Sequence, residues 1–226
     1  MTYNIIATGS TGNAVLINDS ILIDCGVTWK MIEPYAEKIK LVLLTHEHGD
    51  HFRPSTVRAL HRERPAVRWG CCEWMVKPLV GAGVDKRMID VLTLDKLQSY
   101  ALYGGGGEPT QMLVQCSEIP HNVRNCCYRL ELPPSRERVF YATDCSTLDG
   151  ISAVGYDLYL IEANHTYEDI SARISAKQAA GEYAYELEAM RNHLSREQAE
   201  DWIARNAGPN SKYVFLHQHR DKGAFL

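Results

Sequence analysis

The segment Thr45 to His51 reads T-H-E-H-G-D-H and follows the apolar run 41–44. It brings His46, His48, Asp50 and His51 within reach of one another. Neutral imidazoles beside a hard carboxylate suit zinc, and also manganese or iron, far better than calcium. In an extended segment, residues two apart share a face, so His46 and His48 can hold one ion together. Asp50 and His51, where the chain turns toward the next helix, can face a second ion. The alternative is a polar loop that is rich in histidine by chance. Imidazoles at this density beside a core strand are hard to satisfy without a metal.

Further titratable groups stand where apolar runs end. His121 follows the run 112–119 across Pro120, Asp144 follows 139–142 in Y-A-T-D, and His217 follows 213–216. An α/β scaffold places its chemistry at strand ends. Each residue alone is a weak signal; the recurrence carries the argument. The tetraglycine at 104–107 is read as a hairpin loop and not a phosphate cradle, because no helix and no lysine in register follow it. Seven cysteines stand at 25, 71, 72, 116, 126, 127 and 145. An odd number with two adjacent pairs suits a reducing compartment better than a disulfide framework. Adjacent cysteines on a strand point to opposite faces, so most are read as small buried hydrophobes.

The elements that must position these groups are those of an ordinary globular chain. With 226 residues, 45% hydrophobic and 23% charged, one domain over 1–226 is expected. The formal net charge of −4 argues against a broad basic surface that grips long nucleic acids. No apolar run approaches the ~18 residues of a membrane span. Residues 1–7 lack a secretory signal pattern. A cytoplasmic protein with no membrane partner is expected, its oligomeric state open to a homodimer. Apolar and β-branched runs predict strands at 2–7, 14–17, 21–24, 41–44, 67–69, 88–92, 112–116, 126–132, 139–142, 158–161 and 213–216. Helices are predicted at 28–38, 54–62, 73–80, 169–191 and 195–206, the last opened by a capping box at Ser195–Gln198. Two successive sets of strands with interleaved helices point to a four-layer αββα sandwich, with the site at strand ends between two sheets.

H-x-H-x-D-H followed by a lone histidine, a lone aspartate and a late histidine resembles the metallo-β-lactamase superfamily. Gly9-Ser10-x-Gly12-Asn13 and Ile23-Asp24-Cys25-Gly26 resemble its opening hairpin. The resemblance implies two divalent metal ions, zinc or manganese. His46, His48 and His121 would hold one ion, and Asp50, His51 and His217 the other, with Asp144 bridging and Asp24 orienting the loop. Glu162-Ala163-Asn164-His165 and Asn192-His193-Leu194-Ser195 resemble the short bacterial and phage phosphodiesterase and exonuclease members related to ribonuclease Z. That likeness gives His193 the proton-donor role, with Asp50 as the other catalytic residue. The rival assignment makes His193 the late metal ligand and leaves His217 or His219 merely polar. His165 is placed at the pocket lining and His61 on the surface. Cys145, next to the bridging aspartate, could approach a metal.

Two ions about 3.5–4 Å apart can clamp the attacking and leaving oxygens of an in-line displacement. The expected reaction is therefore phosphodiester hydrolysis by metal-bound hydroxide. Its substrates would be nucleic-acid ends, single strands or cyclic nucleotides. Two other readings stand beside it: a hydrolase of a lactone, thioester or β-lactam, and a non-catalytic binding module on the same fold.

Overall fold

A computed structural model describes residues 1–102 and 110–218. The tetraglycine and His219 lie outside the described residues. The first six strands form one sheet in sequence order: β1 (Tyr3–Ala7), β2 (Ala14–Ile17), β3 (Ile21–Ile23), β4 (Leu41–Leu44), β5 (Arg68–Cys71) and β6 (Ile89–Val91). The next six form the second: β7 (Gln98–Leu102), β8 (Thr110–Ile119), β9 (Asn125–Leu132), β10 (Glu137–Ala142), β11 (Leu158–Glu162) and β12 (Lys212–Leu216). Each sheet begins with antiparallel strands and ends with parallel ones: β3 to β6 in the first, β10 to β12 in the second. Parallel strands need crossover connections, which here carry the helices and deliver several strand ends to one edge.

Strand alternation builds the layers. In β4, Leu41 and Leu43 face the core between the sheets, while Val42 and Leu44 face an outer core. There they meet Ile32 of α1 (Trp29–Ile32), Val57 and Leu60 of α2 (Pro54–Glu63), and Leu79 of α3 (Val76–Gly81). Burial on both faces explains the unbroken apolar run. In the second sheet, Val139, Tyr141, Leu158 and Leu160 face inward, whereas Phe140, Ala142, Tyr159 and Ile161 face a third cluster. The latter pack against Ala199, Trp202 and Ile203 of α6 (Arg196–Asn206). Trp202 stacks on Phe140 with ring centroids 4.7 Å apart and donates its indole N–H to the Ile151 carbonyl. The four-layer αββα sandwich is therefore present.

Local chemistry sets the helix boundaries, and several elements depart from expectation. β7 is not among the expected strands. The helix expected at 73–80, with an interruption near Pro78, is a 3-10 turn at Glu73–Met75 followed by α3, which runs through Pro78. The helix expected at 28–38 is a single turn followed by a 3-10 turn at Glu33–Tyr35, because Pro34 has no N–H to continue the ladder. The helix expected at 169–191 is two, α4 (Tyr167–Ala179) and α5 (Glu186–Asn192). Gly181 ends the first at φ +70°, with Glu182 N–H donating to Lys177 O and Gly181 N–H to Gln178 O, a Schellman closure. His61 is half buried, and its Nε2 accepts from the Asp85 N–H at 3.2 Å, so it ties α2 to the turn that follows α3. The capping box at Ser195 and Gln198 forms as expected. Among the described residues, no helix is long and apolar enough to cross a membrane.

Candidate metal centre

The loop after β4 is held by the chain that follows β3. Cys25 N–H donates to His51 O, Arg53 N–H to Cys25 O and Asn13 N–H to Asp50 O. Gly26 lies against the Asp50–His51 peptide so closely that a Cβ there would sit 1.7 Å from Asp50 O. Only glycine permits that approach. Asp24, fully buried, accepts from Thr45 N–H at 3.0 Å and Thr45 Oγ1 at 2.9 Å. Its other oxygen faces His51 Nδ1 at 2.7 Å and accepts from the Tyr141 hydroxyl at 3.1 Å. Asp24 thus ties loop, first sheet and second sheet together.

Two groups of side chains converge above this base. His46 Nε2 lies 3.1 Å from His48 Nδ1, which lies 3.2 Å from His121 Nε2. The far nitrogens of His46 and His121 are engaged by Thr45 Oγ1 at 3.0 Å and by the Asn192 carbonyl at 3.2 Å. Those partners can fix the ring tautomers and leave lone pairs pointing at one another. Beside them stand Asp50, His51, Asp144 and His217, with His51 Nε2 2.7 Å from Asp144 Oδ2 and His217 Nε2 3.6 Å from Asp50 Oδ2. Each group draws on both sheets.

Behind lies Glu162, the last residue of β11, completely buried. Its Oε1 accepts from His193 Nδ1 at 2.6 Å and His217 Nδ1 at 2.9 Å. Its Oε2 accepts from the Cys145 and Leu194 N–H groups at 3.0 and 3.2 Å. Asp24, Asp144 and His217 adopt φ of +60°, +57° and +50°. Such conformations are uncommon outside glycine and gather at functional sites.

The electrostatics match this division. Burial, with neighbouring imidazoles adding to it, drives His46 far toward the neutral form, and burial lowers His121 as well. In the second group burial opposes charge, but the histidines around Asp144 hold it well below the carboxylate range. For His217 burial favours the neutral ring, yet Asp144, Asp50 and Glu162 push it up to about 10. His217 Nε2 is buried without a hydrogen-bond partner, and Asp144 Oδ2 is met only by the 2.7 Å approach of His51 Nε2. Facing lone pairs, clustered carboxylates and an orphaned buried nitrogen all fit divalent cations.

A β-lactamase superfamily domain model matches residues 19–217. The chain belongs to this superfamily. Exodeoxyribonuclease WalJ of Streptococcus pneumoniae (strain D39) is 23% identical over 234 residues, covering 95% of this chain and 80% of that protein. The metallo-β-lactamase fold protein YhfI of Bacillus subtilis superposes with a TM-score of 0.67 at 17% identity, over 97% of this chain and 86% of that one. The short form of human tRNase Z does so at 0.65 and 16%, over 96% and 92%. Both superpositions show the metallo-β-lactamase fold.

On this superfamily scaffold every expected site residue reaches the strand-end edge: His46, His48, Asp50, His51, His121, Asp144, His193 and His217. His193 and His217 stand side by side, ring centroids 5.1 Å apart. Two residues lie elsewhere. Cys145 turns its side chain into the outer core and only its backbone meets the site. His165 lines a separate cavity beneath α4 and α5. All seven cysteines are buried free thiols, as the composition suggested. Glu162 is the residue whose part went unread. It too ends an apolar run, which is the signal that marked its partners.

Proposed function

We propose that the protein is a dinuclear metal-dependent phosphodiesterase acting on nucleic-acid ends, single strands or cyclic nucleotides. One ion is assigned to His46, His48 and His121, the other to Asp50, His51 and His217, with Asp144 shared. Zinc suits this donor set best, and manganese is also compatible. When bound, the two ions supply Lewis-acid activation of water and neutralise charge on the phosphodiester.

The observation that carries the reading is His193 beside the second ligand group with its Nδ1 held by Glu162. His193 is partly exposed, at 19%, while Glu162 is fully buried. Burial would lower its pKa, but the hydrogen bond to and charge of the Glu162 carboxylate raise it above the ordinary histidine value, which favours the protonated ring. A protonated imidazole at the open side of the centre can give that proton to a departing alkoxide oxygen. Asp50, partly exposed in the loop after β4, stands 3.6 Å from His217 Nε2 on the side of the centre open to a substrate. A nucleic-acid substrate also agrees with the relative named as an exodeoxyribonuclease.

The test is an assay of metal-reconstituted protein on bis-(p-nitrophenyl) phosphate, single-stranded DNA, cyclic nucleotides and a lactone, with zinc and with manganese. Turnover of a phosphodiester that a chelator abolishes supports the reading. Turnover of the lactone alone overturns it.

A further inference from the structure

β12, which ends one residue before His217, is the outer strand of the second sheet, and β1 is the outer strand of the first. An edge strand has no neighbour on one side to receive its N–H groups. The peptide unit joining Leu216 to His217 shows this asymmetry. Its carbonyl, Leu216 O, accepts from Ala163 N–H on the β11 side at 3.0 Å. Its N–H, that of His217, points the other way and donates to Thr8 Oγ1 at 2.7 Å. The chain then turns into the left-handed region at His217, φ +50°, and the Asn164 amide takes up the His217 carbonyl at 2.9 Å. Thr8 directly follows β1, so one hydroxyl joins the open edges of the two sheets at a proposed metal ligand.

Thr8 also opens a turn whose far end meets the rest of the second ligand group. Gly12 N–H donates to Gly9 O at 3.0 Å. The carboxamide of Asn13, 1% exposed, spans the turn by accepting from Gly9 N–H at 2.9 Å and donating to Gly9 O at 3.1 Å. From that fixed position Asn13 N–H donates to Asp50 O at 2.6 Å. Asn13 Nδ2 lies 3.4 Å from Asp50 Oδ2 and 2.8 Å from His51 Nε2. Residues 8–13 thus touch Asp50, His51 and His217 together. Among the described residues, no hydrogen bond runs from this turn to His46, His48 or His121.

We propose that the turn 8–13 braces the second ion alone, with Thr8 positioning His217 and Asn13 positioning Asp50 and His51. The second ion can then be lost while the first is kept. The assignment of the ions rests on the dinuclear phosphodiesterase reading. Without Thr8 Oγ1 the N–H of His217, a residue 3% exposed, has no acceptor, and an unpaired buried donor is costly. The peptide is then free to leave its uncommon left-handed conformation and to carry the imidazole away with it.

The experiment titrates metal-free wild type, Thr8→Val, Thr8→Ser and Asn13→Ala with zinc in competition with a chromophoric chelator. Thr8→Val keeps the shape and removes the acceptor. It should bind the first ion as the wild type does and the second about 10–100-fold more weakly, the usual loss when a group that supports a ligand is removed. Thr8→Ser, which keeps the hydroxyl, should bind both ions normally, and Asn13→Ala should weaken the same ion as Thr8→Val. In a His217→Ala background, Thr8→Val should leave the affinity of the remaining ion unchanged, because a positioning residue acts only through the ligand it holds. Equal weakening of both ions by either variant overturns the brace, as does a Thr8→Ser variant as weak as Thr8→Val. A wild type that binds two ions, one of them sensitive to Thr8→Val, but is inert on every phosphodiester keeps the brace and refutes the phosphodiesterase. Phosphodiester hydrolysis by a wild type whose Thr8→Val variant binds both ions normally refutes the brace alone. Uptake of a single ion by the wild type overturns the brace and the two-ion assignment together.

Discussion

His193 and His217 hydrogen-bond the same oxygen, Glu162 Oε1, at 2.6 and 2.9 Å. One buried carboxylate therefore sets the tautomer of both the proposed proton donor and the proposed late metal ligand. Glu162→Gln keeps the shape but removes the charge, and should cost about 10–100-fold in activity, the usual range for a residue supporting metal ligands. Glu162→Ala should also cost about 3–5 kcal/mol of stability, because it strips a buried charge from its partners. A urea titration and an initial-rate assay of the two variants check this. Full activity in Glu162→Gln would show that the shared oxygen orients nothing.

The two late histidines should fail differently. His217→Ala is expected to lower bound metal toward one ion per chain, measured by elemental analysis. His193→Ala should retain both ions and slow hydrolysis of a nucleotide ester by about 10²–10⁴-fold. The loss should shrink on p-nitrophenyl esters, whose leaving group hardly needs a proton. Loss of metal in His193→Ala and its retention in His217→Ala would swap the assignments.

Gly26→Ala should cripple metal loading although Gly26 is no ligand. Its new methyl group would fall 1.7 Å from Asp50 O, so the loop carrying Asp50 and His51 must move. A loss of several kcal/mol is expected, at the severe end for point substitutions, read as the thermal midpoint of the metal-free protein. An unchanged midpoint and two bound ions would refute the tight approach.

The cysteines should be silent in the fold. Burial pushes the Cys25 and Cys71 thiols up to about 12 and Cys127 to about 11. A thiol pKa that is higher folded than unfolded means stability present below the unfolded value, near 9, and lost as pH rises through the folded one. At pH 8 an aromatic disulfide reagent should find no reactive thiol in the native protein and seven in denaturant under non-reducing conditions. Rapid native reaction would place thiols at the surface. Fewer than seven in denaturant would mean that disulfides form.

Much of the centre was legible because ligand chemistry and strand ends coincide in this chain. The H-x-H-x-D-H spacing gave the first loop, and the end-of-run rule found His121, Asp144 and His217. Glu162 obeys the same rule, directly after the run 158–161, but stands out only within the Glu162-Ala163-Asn164-His165 resemblance, which gives it no role of its own. Its burial is decided by His193 and His217, 31 and 55 residues away. Helix lengths were overestimated at Pro34 and Gly181 because propensity was summed across single residues that stop a helix outright.

Each proposed ion draws on both sheets: His46 and His48 with His121, and Asp50 and His51 with Asp144 and His217. A nascent chain that has completed only the first sheet presents two residues of each proposed set and can close neither coordination sphere. The first set is complete once His121 follows β8, whereas the second must wait for β12, the strand that precedes His217. Small zinc modules fold around their ion; ligand sets split between two sheets imply the reverse order for the proposed centre, with the scaffold assembled first. The geometry of the finished edge, more than the affinity of a flexible histidine-rich peptide, then decides which metal in the cell is kept.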